Sequence, residues 1–288
     1  MTKIPKTMAS AAPAQGKEAD NAPRSPAGPA AGNMLSLERA LTLLSAVAES
    51  KAGLRLKDAA EQVGLSTSTA HRILSALVEH RMLRLNEGAR IYLPGSELYR
   101  LGQAAARHYS LVDLARPSMV RIAENTDDTV FLSVPDRDEA VCLDRVVGAY
   151  PIKTLTLSVG DRRPLGVGAG SLALLAAMPE TERLAIIRHG GAARERRYPA
   201  FTSGALTKWV SEASRLGYAL NAERVIPGMS AVAVAIRAAD GSPIGAISVA
   251  AIRSRIHGNR LMEIVDLLKK ECATVAAKAE SLNNSKGN

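Results

Sequence analysis

At 288 residues the chain is too long for one small domain and suits two. Hydrophobic residues make up 47% of it, which excludes a wholly disordered polypeptide, while aromatics at 3% argue against proteins that stack single-stranded bases. A formal net charge of +9 favours encounter with polyanions without saying anything about fold.

Residues 1–33 are rich in Ala, Pro, Gly and Ser, cannot bury enough apolar surface to offset their ordering entropy, and are predicted to form a disordered tail. Order is predicted from residue 34. Ser36 is placed as the N-cap of a helix to Glu49 whose inward face is Leu37, Ala40, Leu41, Leu44 and Val47. A short helix over 57–63 follows, ended by Gly64. Ser66 then caps a helix over 67–80 with Ala70, Ile73, Leu74 and Leu77 inward. Strands over 82–85 and 90–93, joined at Asn86-Glu87-Gly88, read as a hairpin. Helix, short helix, turn, helix, hairpin is the order of a winged helix-turn-helix, so residues 34–95 are predicted to be a DNA-binding domain.

The third helix carries that reading. A helix that enters a major groove must show short donors and acceptors at its N-terminal end. Thr67, Ser68, Thr69, His71 and Arg72 supply them, with Arg72 long enough for a guanine edge. Arg84 and Arg90 flank the hairpin tip, where a wing meets phosphates or a minor groove. Residues 34–95 hold eight Lys or Arg against six Asp or Glu, so the basic charge is not concentrated there. A solvated surface helix has the same polar face; the elements on either side favour the DNA reading.

A helix over 96–109 is predicted as linker and dimerisation element, closing at residue 110. Residues 111–282 form the second predicted domain, with a flexible C-terminus over 283–288. Its helices are predicted over 112–125, 171–178, 181–187, 204–216 and 258–282. Strands are expected over 129–134, 140–146, 152–159, 230–237 and 244–250, with a polar arginine-rich stretch over 188–197. Interleaved helices around an antiparallel sheet make the class α+β.

The cysteines, Cys142 and Cys272, share no metal-ligand spacing, and the five histidines are scattered. No catalytic motif, cofactor or metal is predicted, and no apolar run reaches membrane-spanning length. The expected location is the cytoplasm. Gly166-Val-Gly-Ala-Gly170 opens a helix but lacks the βαβ context of a dinucleotide site. Either this loop serves close packing, or the backbone N–H groups of Ala169, Gly170 and Ser171 hold a carboxylate.

Over residues 35–282 the chain resembles the IclR family of bacterial transcriptional regulators. The fragments that carry the resemblance are Ser36-Leu-Glu-Arg-Ala-Leu-Thr-Leu-Leu44, Ser68-Thr-Ala-His-Arg-Ile-Leu74, Asp113-Leu-Ala-Arg-Pro117, Asp144-Arg-Val146, Gly160-Asp-Arg-Arg-Pro-Leu165, Arg215-Leu-Gly-Tyr218, Pro227-Gly228 and Ala246-Ile-Ser-Val249. The resemblance implies a GAF/PAS-like effector domain after the winged module, and homodimers that pair into dimers of dimers on promoter DNA as repressors or activators. It also places an effector against the 166–170 loop. Many members have His at the position of Gly166, Asp at that of Asn221 and Cys at that of Ala231; a second Ser is replaced by Ala250, while Ser248 remains. These departures predict a roomier, more apolar pocket walled by Ile152 and Leu155. Such a pocket suits an organic acid with an aromatic or aliphatic body better than a small keto acid. A member without any ligand, an enzyme or metabolite binder, and an architectural DNA binder are the competing readings.

Overall fold

A computed structural model describes residues 29–106 and 111–286, with side chains over 35–104 and 111–282. The chain forms two compact units that part between Ala104 and Ala105. Most of the tail expected over 1–33 lies outside the described residues.

The first unit contains α1 (Pro29–Glu49), β1 (Leu54–Arg55), α2 (Leu56–Gln62), α3 (Thr67–Glu79), β2 (Leu83–Asn86), β3 (Ile91–Pro94) and most of α4 (Ser96–Ala106). The first helix corrects the sequence reading twice. It spans Pro29–Glu49 among the described residues, so residues 29–33 are helical and Ser36 lies inside the helix. Its inward seam is Leu43, Ala46 and Val47, whereas Leu37 and Leu41 are 60% and 54% exposed. The helix carries two apolar edges, and α2 and α3 are too short to cover both. Ala59, Ala60, Ala70, Leu74, Leu83 and Tyr92 complete the core. Gly64 adopts φ +67, and Leu65 N–H then reaches Ala60 O at 2.9 Å, which closes α2 and swings the chain into α3. The hairpin is present, and β1, too short to be read from pattern, adds a third strand in the order β1-β3-β2.

The second unit is a six-stranded antiparallel sheet with helices on both faces. Its elements are α5 (Leu111–Thr126), β4 (Thr129–Asp136), β5 (Glu139–Val146), β6 (Arg162–Pro164), α6 (Ala169–Ala177), α7 (Glu180–His189), α8 (Gly191–Arg197), α9 (Ser203–Leu216), β7 (Ala219–Ala222), β8 (Met229–Arg237), β9 (Pro243–Ile252) and α10 (Gly258–Lys286). Strand order is β6-β5-β4-β9-β8-β7. The period of two divides the side chains cleanly. Val130, Leu132, Val232, Val234, Ile247 and Val249 pack with Met119, Ile122, Val265 and Leu268 of α5 and α10. The opposite face offers small residues, among them Ala233 and Ala246, to Leu174 and Leu175 of α6 and Leu206 and Val210 of α9.

The strand expected over 152–159 is absent. That segment alternates like a strand, but β6 already occupies the edge of β5, pairing Arg162 with Val141 and Pro164 with Glu139. Arginine side chains meet its carbonyls instead: Arg145 Nη1 donates to Leu157 O at 2.9 Å and Arg163 Nη2 to Thr156 O at 2.6 Å. The polar stretch over 188–197 is mostly α8, fixed by the fully buried Arg194, which donates to Ile187 O and Phe201 O. The C-terminal helix runs to Lys286, beyond the expected end at residue 282.

Candidate DNA-contact helix and ligand cavity

In α3, Ala70 and Leu74 are buried and Ile73 and Leu77 half-buried, which turns Thr67, Ser68, His71 and Arg72 outward. Ser66 is the N-cap: its backbone is extended and its Oγ accepts Thr69 N–H at 3.3 Å. The same Oγ donates to Thr69 Oγ1 at 2.9 Å, so the half-buried Thr69 belongs to the cap more than to the open face. No acidic residue lies in the first turn of α3, and the positive helix end is left unneutralised. Arg84 stands exposed on β2, and Arg90 is the last turn residue before β3, also exposed. The result is a rigidly backed helix end with hydroxyls, an imidazole and a guanidinium facing solvent, flanked by a basic hairpin.

A cavity of about 630 Å³, counted to its open mouth, lies in the second unit between the small-residue face of the sheet and the N-terminus of α6. It exists because β4, β8 and β9 place Ser133, Ala231, Ser248 and Ala250 on that face, where bulkier residues would fill it. Phe131, Cys142 and Ala250 form an apolar floor with Leu157 and Ala231 packed against it. Burial pushes the Cys142 thiol up to about 11, so it is a protonated wall residue rather than a nucleophile. The polar end gathers Ser133, Ser248, Asn221, Arg163 and the first turn of α6. Gly168 is the N-cap of α6 and offers no side chain to its first N–H groups, which have no acceptor within the helix. Asn221 is 6% exposed, and its Oδ1 has no hydrogen-bond partner.

Of the pocket residues expected from sequence, Ala169, Gly170, Ser171, Asn221, Ala231, Ser248 and Ala250 line this cavity. Ser171 is partly committed: its Oγ accepts Gly166 N–H at 2.8 Å and donates to Pro164 O at 2.9 Å. Three expectations need correction. Ile152 and Leu155 are 51% and 54% exposed, because without a strand at 152–159 it is Thr154, Thr156 and Leu157 that turn inward. Gly166 faces α9: at φ +95, a Cβ there would stand 2.5 Å from Leu206 Cδ1, so its missing side chain makes room for Leu206 and not for a ligand. The sequence reading missed Phe131, Ser133, Cys142 and Arg163, the first three hidden in strand alternation and the last seen only as part of a family fragment. Among the described residues no group of three or more His, Cys, Asp or Glu could hold a metal, and no helix is long and apolar enough to cross a membrane.

Residues 36–87 match the IclR helix-turn-helix domain, and residues 103–277 match the family model described as bacterial transcriptional regulator IclR C-terminal. The transcriptional repressor IclR of Escherichia coli is 24% identical over 249 residues, which cover 86% of this chain and 90% of that protein. The HTH-type transcriptional regulator BhcR of Paracoccus denitrificans is 29% identical over 241 residues, covering 82% and 84%. The fold matches the crystal structure of a transcriptional regulator from Alicyclobacillus acidocaldarius at TM-score 0.72 and 24% identity, over 84% of this chain and 98% of that one. It also matches an IclR homolog of Microbacterium hydrocarbonoxydans, solved in complex with 4-hydroxybenzoate, at TM-score 0.71 and 22% identity, with the same coverages.

Proposed function

The chain belongs to the IclR family of DNA-binding transcriptional regulators, and from that premise we propose that it controls a catabolic or metabolic operon, as repressor or activator, in response to a carboxylate-bearing metabolite. The observation that carries the proposal is a pair of ready sites: a solvent-facing polar end on α3 and an open, half-apolar cavity closed at one end by an uncapped helix N-terminus. Thr67, Ser68, His71 and Arg72 meet base edges and nearby phosphates, Thr69 holds the cap, and Arg84 and Arg90 meet the backbone beside the wing. Ala169, Gly170, Ser171, Asn221 and Ser248 contact the effector, while Ala231 and Ala250 leave space for its body. That the Microbacterium homolog was solved with an aromatic hydroxy acid supports an organic acid of this size.

In this reading residues 34–95 bind double-stranded promoter DNA, residues 96–110 link and dimerise, and residues 111–282 sense the ligand in the cytoplasm. The exposed apolar residues Leu37 and Leu41 of α1 and Tyr99 and Leu101 of α4, which a monomer leaves in water, support homodimers that pair on DNA. The test is fluorescence anisotropy on fragments of the chain's own genomic neighbourhood. The wild type is expected to bind at least one fragment specifically, and Arg72→Ala to weaken that binding by about 1–3 kcal/mol. Unchanged specific binding by Arg72→Ala contradicts base reading by this residue, and absence of any specific fragment contradicts the function.

A further inference from the structure

One cationic group in the cavity forms no salt bridge among the described residues. Arg163, on β6, is half-buried and lines the cavity. Its Nη2 donates to Thr156 O at 2.6 Å, and among the described residues it forms no ion pair. Asp161, also in the lining, spends Oδ2 on Ser158 N–H at 2.7 Å and is exposed. Burial lowers the pKa of Arg163 against the opposing pull of Tyr198 and Asp161, yet a guanidinium stays charged in a protein, so it stands largely desolvated with no carboxylate in salt-bridge contact. Isolated buried charge is costly and is ordinarily paired.

The position of that charge matters as much as its isolation. Arg163 Nη1 stands 3.4 Å from where a Cβ on Gly168 would lie, in the notch at the N-cap of α6. On the other side of the same first turn, Ser133 Oγ and Ser248 Oγ are 3.4 Å and 3.6 Å from the corresponding position on Gly170. The unpartnered, buried Asn221 amide lines the same space. Two separate sources of positive potential, a guanidinium and an uncapped helix end, therefore converge on one spot beside Ser133, Ser248 and Asn221.

We infer that Arg163 is a specificity-determining residue of this cavity: its Nη1 and the first-turn N–H groups of α6 grip one carboxylate of a monocarboxylic acid whose apolar body lies toward Phe131, Ala231 and Ala250. The inference rests on the effector reading above and adds the charge requirement and the residue that imposes it. Because Nη2 stays on Thr156, one guanidinium joins the ligand's charge to the segment over 147–160 that borders the cavity.

The experiment is calorimetric titration of the full chain with benzoate, 4-hydroxybenzoate, phenylacetate and hexanoate, each beside its primary amide. The amide has nearly the acid's shape without its charge. The wild type is expected to bind at least one acid and to hold its amide more than tenfold more weakly. Arg163→Gln should lower the acid's affinity more than tenfold and leave the amide's within about twofold, while Arg163→Lys, which keeps the charge, should recover part of the loss. Acid and amide binding equally in the wild type overturns the inference without any variant that must fold. Undiminished acid binding by a folded Arg163→Gln also overturns it and leaves the effector reading standing. Failure of every acid to bind the wild type removes both.

Discussion

Small side chains make the cavity, and single substitutions should close it. Ala250 packs beside Phe131, with Leu157 against the same cluster. Ala250→Phe is expected to lower acid binding more than tenfold by filling the floor, while DNA binding without ligand is kept because residues 34–95 are untouched; paired calorimetry and anisotropy check this. Asn221→Ala loses no protein hydrogen bond at Oδ1, so its unfolding free energy should stay within about 0.5 kcal/mol of wild type while its ligand affinity falls. Denaturant titration beside calorimetry separates the two effects. Burial holds Cys142 up at about 11 and Cys272 at about 12, which leaves little thiolate at pH 8. Alkylation of the native chain should run roughly 100-fold slower than for free cysteine at Cys142 and on the order of 1000-fold slower at Cys272, measured by mass spectrometry.

Helices and strands show where local pattern decides structure and where neighbours do. The cap of α3 was legible because Ser66 sits just ahead of a helical apolar face, and the structure gives it the bond such a cap makes. Ser66→Ala should cost about 1 kcal/mol, seen as roughly fivefold faster hydrogen exchange in α3. The alternation that correctly marks β4 and β9 also runs through residues 152–159, where the sheet edge is already taken, so period alone predicted a strand that is absent. The face of α1 was right at Leu44 and Val47 and wrong at Leu37 and Leu41: two apolar edges compete, and packing against α2 and α3 selects Leu43 over Leu41. Arg163 was unreadable as a site because its meaning comes from burial and the lack of an acidic partner. Between helices, Arg121 of α5 donates to Glu271 of α10 at 3.0 Å and 2.5 Å and to Ser118. The hydrogen bond from Arg121 holds the Glu271 carboxyl below its usual range. A lowered folded pKa stabilises fully above the unfolded carboxylate value, and the gain disappears as pH falls through the folded one. Glu271→Gln should therefore flatten the fall in stability on the acid side, read from denaturation midpoints across that range.

For the whole molecule, the distribution of charge and the presence of two units make separable claims. With eight basic against six acidic residues over 34–95, DNA affinity cannot come from bulk charge alone. It should depend on the few cations that touch phosphates and on two-fold pairing of half-sites. Replacing Arg84 or Arg90 by Ala should weaken binding similarly on all sequences and reduce the slope of log affinity against log salt by about one for each phosphate-bound cation removed. Regulation further requires that ligand and DNA sites be linked, and linkage is reciprocal: an acid that changes DNA affinity by some factor must have its own affinity changed by DNA equally. The most direct measurement is the affinity of the specific DNA fragment with and without saturating acid, in the wild type and in Ala250→Phe. A change of at least about fivefold in the wild type, absent in the filled variant, is the predicted result. Equal affinity with and without acid in the wild type, or the same change in both proteins, would contradict a regulator worked through this cavity.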